Sequence, residues 1–263
     1  MSIAAILSEI DEHGRATITL NRPEMHNAFD DTLISALIEE FRRLERERNV
    51  RVVLLAAKGK SFSSGADLNW MRRMADYSFE ENRNDAMALA ELMKTLANLS
   101  KPTIALVQGA AIGGGVGLVA CCDIALATEN ASFCLSEVKL GLIPAVISPY
   151  VATAIGARAT RRYFLTAERF DANEACRLGL VHEVVPREDL VEHADALSRR
   201  LLLNGPQAMA SVKALVAEVA LSSLDDDLIA DTAERIAEIR ASAEGREGLS
   251  AYLEKRDPNW VKG

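Results

Sequence analysis

A run of glycines set between two apolar segments constrains this chain more than any other feature. Residues 108–117 read Gln108-Gly109-Ala110-Ala111-Ile112-Gly113-Gly114-Gly115-Val116-Gly117. The run 104–107 before them reads as a buried strand, and an apolar helical stretch through Cys122 follows. The turn therefore joins a strand to a helix start. The first N–H groups of a helix have no intrahelical partner, and the helix dipole adds partial positive charge there. Glycine lets a ligand atom come close to that backbone. Such a turn can hold phosphate or a developing oxyanion, and it can equally serve tight strand–helix packing alone. A dinucleotide fingerprint beginning at Gly113 and Gly115 needs a glycine at 118, which is Leu118. A phosphate-binding P-loop needs Gly-Lys-Ser/Thr, and the turn has no lysine.

The rest of the chain frames that turn. Residues 17–20 and 52–56 read as strands, and 124–127 as the strand after the apolar helix. Asp31 is placed to cap a helix whose apolar face is Leu33, Leu37, Ile38, Phe41 and Leu44. Ser78 and Glu81 have capping-box spacing before a helix that ends near Ser100, and Pro102 stops it. Alternating strands and helices predict an α/β core with largely parallel strands over 1–187. Beyond Pro186 the pattern turns helical, with breaks expected at Gly205-Pro206 and around Gly245. Residues 188–263 are therefore read as a helical region that packs on the core or on a neighbouring subunit.

Two further segments carry chemistry. Ser61-Phe62-Ser63-Ser64-Gly65-Ala66-Asp67-Leu68 follows a strand, and its small residues again admit a ligand to the backbone. As a plain turn it needs only Asp67 as a helix cap. Phe133-Cys134-Leu135-Ser136-Glu137-Val138-Lys139-Leu140-Gly141 sets one glutamate in a mainly apolar run. Burial there raises its pKa and suits it to proton transfer; paired with Lys139 at the surface, it does neither.

Composition removes several classes. The 263 residues are 49% hydrophobic, ordinary for a globular chain, and carry a net charge of −8. That balance gives no general pull toward nucleic acid or anionic membrane. No apolar run approaches the roughly 20 residues of a membrane helix. The stretch 1–15 has no basic leader, and a cytoplasmic location is expected. Cys121, Cys122, Cys134 and Cys176 lack metal spacing, Cys121 and Cys122 reading as buried free thiols; His13, His26, His182 and His193 are scattered. No metal is expected. A serine hydrolase lacks its Gly-x-Ser-x-Gly elbow.

Taken together and in order, the three segments resemble the enoyl-CoA hydratase/isomerase (crotonase) family. The resemblance runs from Asn21-Arg22-Pro23 and Asn27-Ala28 to Tyr252-Leu253-Glu254-Lys255-Arg256, nearly the whole chain. It implies an α/β, crotonase-like spiral of ββα-type units with a C-terminal helical region that builds a homotrimer or a dimer of trimers. It implies an oxyanion hole from the N–H groups of Ala66 and Gly114, with Glu137 as the catalytic carboxylate. Ala28, Ser64, Asp67, Leu68, Gly113, Gly117 and Ala145 would line the substrate and coenzyme A site. Tyr252 and Lys255 would touch coenzyme A, often across a subunit boundary. The partner is an acyl-CoA thioester, and no further cofactor is needed.

The chain departs from the two-glutamate hydratases of that family. Their first glutamate falls at Gly117, and the usual Pro-Gly-x-Gly-Gly loop reads Pro144-Ala145-Val146-Ile147-Ser148. A glycine at position 145 normally offers an N–H to water, and Ala145 keeps one. A single glutamate fits an isomerase that moves a proton between two carbons. It also fits a hydratase in which another group places the water. The stretches 65–71, 116–123, 135–142 and 144–149 are similar to a bacterial branch of methylglutaconyl-CoA hydratases, which serves leucine and isovalerate breakdown. Hydration of 3-methylglutaconyl-CoA is therefore expected, with its own carboxylate helping to place water or substrate. Arg72, Arg73 and Lys139 are the cations that would bind this group. The alternatives are a 3-enoyl to 2-enoyl isomerase and, from another class, a non-catalytic acyl-CoA scaffold.

Overall fold

Valine, isoleucine and leucine fill the inner strands, and the computed structural model pairs them into two sheets; it describes residues 4–261. The ends of both expected regions, residues 1–3 and 262–263, lie outside the described residues, as does the start of the stretch 1–15 expected to carry no leader. Ten strands appear in chain order: β1 (Ile6–Ile10), β2 (Arg15–Leu20), β3 (Val52–Ala57), β4 (Ser61–Ser63), β5 (Thr103–Val107), β6 (Ala110–Ile112), β7 (Ile124–Thr128), β8 (Ser132–Cys134), β9 (Phe170–Asp171) and β10 (Glu183–Val185). The first sheet has the order β1-β2-β3-β5-β7-β10 and is parallel except for the β1–β2 hairpin. The second, β4-β6-β8-β9, is parallel except at β8–β9.

From β3 to β8, consecutive strands alternate between the sheets. Each of β3–β4, β5–β6 and β7–β8 places one strand in each sheet and then enters helix: α2 (Leu68–Ala75) and α3 (Phe79–Ala97), α4 (Gly114–Cys121), and α5 (Ser148–Thr166). This is the expected repetition of ββα units. Parallel strands buried on both faces read as near-continuous apolar runs; Val52, Val53, Leu54 and Leu55 are all at most 4% exposed. The second sheet's short strands carry the three turns that bear chemistry.

Before these units, α1 (Asp31–Arg46) packs Leu33, Leu37, Phe41 and Leu44 into the core. Its cap is Asp30, not Asp31: the Asp30 carboxylate accepts the Leu33 N–H at 2.9 Å, and Asp31 is already helical. Either acid fits the preference for a capping side chain, and local geometry selects the first. The Ser78–Glu81 capping box forms as expected, although α3 stops at Ala97, short of Ser100.

After α6 (Ala172–Leu178) come α7 (Leu190–Leu202), α8 (Pro206–Leu221), α9 (Asp226–Ala241) and α10 (Ala243–Glu254). The break at Gly205-Pro206 is observed. The second break falls at Ser242 rather than Gly245, which lies inside α10; the Ser242 hydroxyl caps that helix by accepting the Gly245 N–H at 2.9 Å. The four cysteines are free thiols, and Cys122 is only partly buried, unlike Cys121. Among the described residues no helix is long and apolar enough to cross a membrane.

Candidate active site

Three backbone segments from three successive ββα units converge on one cleft of about 710 Å³: 64–66 after β4, 112–114 at the start of α4, and 136–137 after β8. Helices α2 and α3 and the loop 140–147 complete its walls.

The first segment leaves a donor free. Phe29 and Ala66 form a parallel bridge in which the Phe29 N–H bonds the Gly65 carbonyl at 2.7 Å and the Asp67 N–H bonds the Phe29 carbonyl at 2.8 Å. The bridge uses the groups on either side of Ala66, whose own N–H has no acceptor among the described residues. Asp67 is spent as a cap: its Oδ1 accepts from Asn69 at 2.8 Å and Trp70 at 3.1 Å.

The second segment leaves another. Gly113 has φ 52° and ψ −118°, a conformation open to glycine and strained for other residues. Its N–H bonds the Cys134 carbonyl at 2.9 Å, so Gly114 presents the first unpaired N–H of α4. The Phe29 ring packs against Gly114; a Cβ there would lie 3.2 Å from its edge.

Glu137 stands beside these donors. It opens the 3-10 turn Glu137–Leu140, and a Cβ added to Gly113 would lie 3.0 Å from its Oε1. Its Oε2 is buried and has no hydrogen-bond partner among the described residues. Burial pushes the carboxyl above the usual glutamate range, against a smaller opposing pull from its own backbone N–H. An unpaired, partly desolvated carboxylate next to two free N–H groups can move a proton at a carbon whose neighbouring oxyanion those donors hold.

The place of a second carboxylate is filled with hydrocarbon. A Cβ on Gly117 would collide with Ile147 Cγ2 and lie 3.1 Å from Met93 Cε. Nor does the loop beyond Glu137 offer the expected N–H. Ala145 lines the cleft, but its N–H is bonded to the Ile143 carbonyl at 2.8 Å.

Of the residues singled out from sequence, Ser64, Ala66, Leu68, Gly113, Gly114, Glu137 and Ala145 line the cleft. Ala28, Asp67 and Gly117 are buried behind it. Tyr252, 82% exposed, and Lys255, in the left-handed conformation at the end of α10, are not part of its lining in this single chain. The three cations expected to hold a substrate carboxylate are not brought there either. Arg72 bonds Asn69 at 2.8 Å, Arg73 pairs with Asp31 at 2.6 Å, and Lys139 is exposed. No basic side chain among the described residues lines the cleft.

Sequence reading missed one wall of the cleft. Asn82, Asp85, Ala86 and Leu89 face the cleft from α3, joined by Trp70, Met71 and Met74 from α2. The spacing 82, 85, 86, 89 is one helical face. It was hidden because the face is half polar, and an apolar-period reading passes over it.

Comparison with known proteins agrees with this architecture. Residues 11–263 match the enoyl-CoA hydratase/isomerase family. The solved structure of an enoyl-CoA hydratase from Shewanella pealeana is 51% identical, covers 97% of this chain and 96% of its own, and superposes with a TM-score of 0.95. An enoyl-CoA hydratase/isomerase from Marinobacter aquaeolei is 33% identical over 98% of this chain and 99% of its own, with a TM-score of 0.91. The enoyl-CoA hydratase ACTT6 of Alternaria alternata is 34% identical over 84% of this chain and 72% of its own length. The chain belongs to the enoyl-CoA hydratase/isomerase family.

Proposed function

We propose that this protein hydrates a 2-enoyl-CoA thioester, with Glu137 as its proton-transfer group and the N–H groups of Ala66 and Gly114 holding the enolate oxygen. The observation that carries this reading is the meeting, in a single cleft, of two backbone donors without acceptors among the described residues and one half-buried carboxyl whose buried Oε2 is likewise unpartnered. Donors fixed before reaction stabilise the developing oxyanion without reorganising, which is where such sites gain most of their rate. Glu137 activates water for addition at Cβ and returns a proton to Cα. The hydratases of Shewanella and Alternaria support hydration over isomerisation.

The motifs around 65–71 and 135–149 make 3-methylglutaconyl-CoA the acyl group to test first. Its distal carboxylate meets no basic side chain in this cleft, so its value to catalysis rests on water and backbone contacts. One observation favours the isomerase reading instead. Ile147 and Met93 occupy the side where a second carboxylate would hold water, which leaves that side dry.

Steady-state turnover of 3-methylglutaconyl-CoA, crotonyl-CoA and a 3-enoyl-CoA, with product mass recorded, tests all of this. Hydration adds water to the product mass and isomerisation leaves the mass unchanged. Glu137→Gln is expected to lower turnover by about 100-fold or more while thioester binding persists. Undiminished turnover in that variant would remove Glu137 from the mechanism and favour an acyl-CoA-binding scaffold. A preference of roughly 100-fold for the branched dicarboxylic thioester over crotonyl-CoA is expected if the substrate carboxylate assists.

A further inference from the structure

We infer that the outer part of the acyl cleft contains a polar subsite, Asp85 with Asn82, that takes a hydrogen-bond donor such as a hydroxyl carried on the acyl chain. The inference rests on the acyl-CoA reading above and names what that cleft selects. Asp85 is the one carboxylate besides Glu137 among the described residues lining the cleft. Its Oδ1 accepts the Trp70 indole N–H at 2.9 Å, and Trp70, 4% exposed, fixes it in place. Its Oδ2 has no hydrogen-bond partner among the described residues. A buried indole needs an acceptor, but a neutral amide would serve at lower desolvation cost. The carboxylate is therefore more than that duty requires.

Asn82 lies one helical turn earlier on the same face of α3. Its Nδ2 donates to the carbonyls of Tyr77 at 3.1 Å and Ser78 at 3.2 Å. Its donors are thus engaged, and the group left for a ligand is Oδ1. The two side chains together present acceptors only. Asn82 is exposed and Asp85 half-buried, so water reaches these oxygens; a hydroxyl replaces that water with a hydrogen bond, a methyl group displaces it without replacement, and a carboxylate meets a like charge. On α3, Asp85 lies eight residues, about 12 Å along the axis, before Met93, which packs at Gly117. The length of acyl chain that reaches Asp85 is what the titration below reads.

Saturated acyl-CoA thioesters cannot be hydrated, so their binding reads the subsite apart from catalysis. The test is calorimetric titration of the intact protein with medium-chain acyl-CoAs of graded length ending in a methyl, a hydroxyl or a carboxylate. At the matching length the hydroxyl form is expected to bind about 10-fold tighter than the methyl form, and the carboxylate form weakest. Asp85→Asn keeps an acceptor for Trp70 while offering an amide donor to the ligand. In that variant the carboxylate is expected to overtake the hydroxyl. Asp85→Ala should abolish the hydroxyl preference. Equal affinities for methyl and hydroxyl forms at every length, tightest binding of the carboxylate by wild type, or an order unchanged in Asp85→Asn would each overturn the subsite. Failure of the hydratase reading looks different: no enoyl-CoA gains water while the binding order stands.

Discussion

Glu137 carries a cost that its neighbours do not relieve. Among the described residues no cation or side-chain donor meets its buried Oε2, and burial holds its pKa above the ordinary value of 4.5. A carboxyl whose folded pKa is raised binds its proton more tightly when folded, so the folded state loses stability as pH rises through that raised value. Below the ordinary value the group is protonated folded and unfolded, and the penalty vanishes. Glu137→Gln removes the titration. The variant is therefore expected to melt above wild type at neutral pH, with the gap closing as pH falls through the raised value and gone below about 4.5. Thermal melts across that range check the sign; a gap that widened in acid would contradict it. At Gly114 the relevant group is an N–H. Gly114→Pro deletes it at the first position of α4, where a helix tolerates proline, although the Phe29 edge must shift slightly. The barrier should rise by about 3 kcal/mol in a variant whose circular dichroism matches wild type. A normal rate in that folded variant would place the thioester oxygen elsewhere.

Elements deliver these residues, and α1 shows how. Asp30 caps it, pairs with Arg22 at 2.6 Å, and follows Phe29, whose backbone bridges Ala66 and whose ring packs on Gly114. Asp30→Ala is expected to cost about 1–2 kcal/mol of stability through the lost cap and ion pair, measurable by urea unfolding. It should also lower turnover, because the Ala66 turn loses the strut beside it. Such indirect links were not legible in the sequence. The strands, the capping box at Ser78 and the glycine turn were, because period, cap chemistry and conformational demand are local properties. The convergence of 64–66, 112–114 and 136–137 was implied by the ordered resemblance of the motifs to the family and not by periodicity. What stayed hidden was long-range: Ile147 filling the space at Gly117, the Ala145 N–H turned back on Ile143, and Asp85 held by an indole fifteen residues away.

At the scale of the molecule, the C-terminal helices leave apolar side chains uncovered in the single chain. Helix α9 has no buried residue in the single chain, although Ile229 and Ile236 recur on it at helical spacing; they are 56% and 47% exposed. On α8, Val212 and Val216 lie one turn apart and are 55% and 61% exposed, and Leu224 between the two helices is 86% exposed. Single exposed apolar residues are ordinary, but aligned rows on adjacent helices form a patch that an isolated soluble chain rarely keeps uncovered. Covering it with copies of the same chain requires a closed symmetry, or assembly would continue without limit. The family resemblance implies three-fold closure, singly or as two stacked trimers. Light scattering at micromolar concentration is therefore expected to give a mass of three or six chains. Ile229→Glu with Ile236→Glu should shift that mass toward the monomer, because a charge on each row must be desolvated for the interface to form. A wild-type monomer at that concentration would count against the assembly, and an unchanged oligomer in the double variant would move its interface off α9.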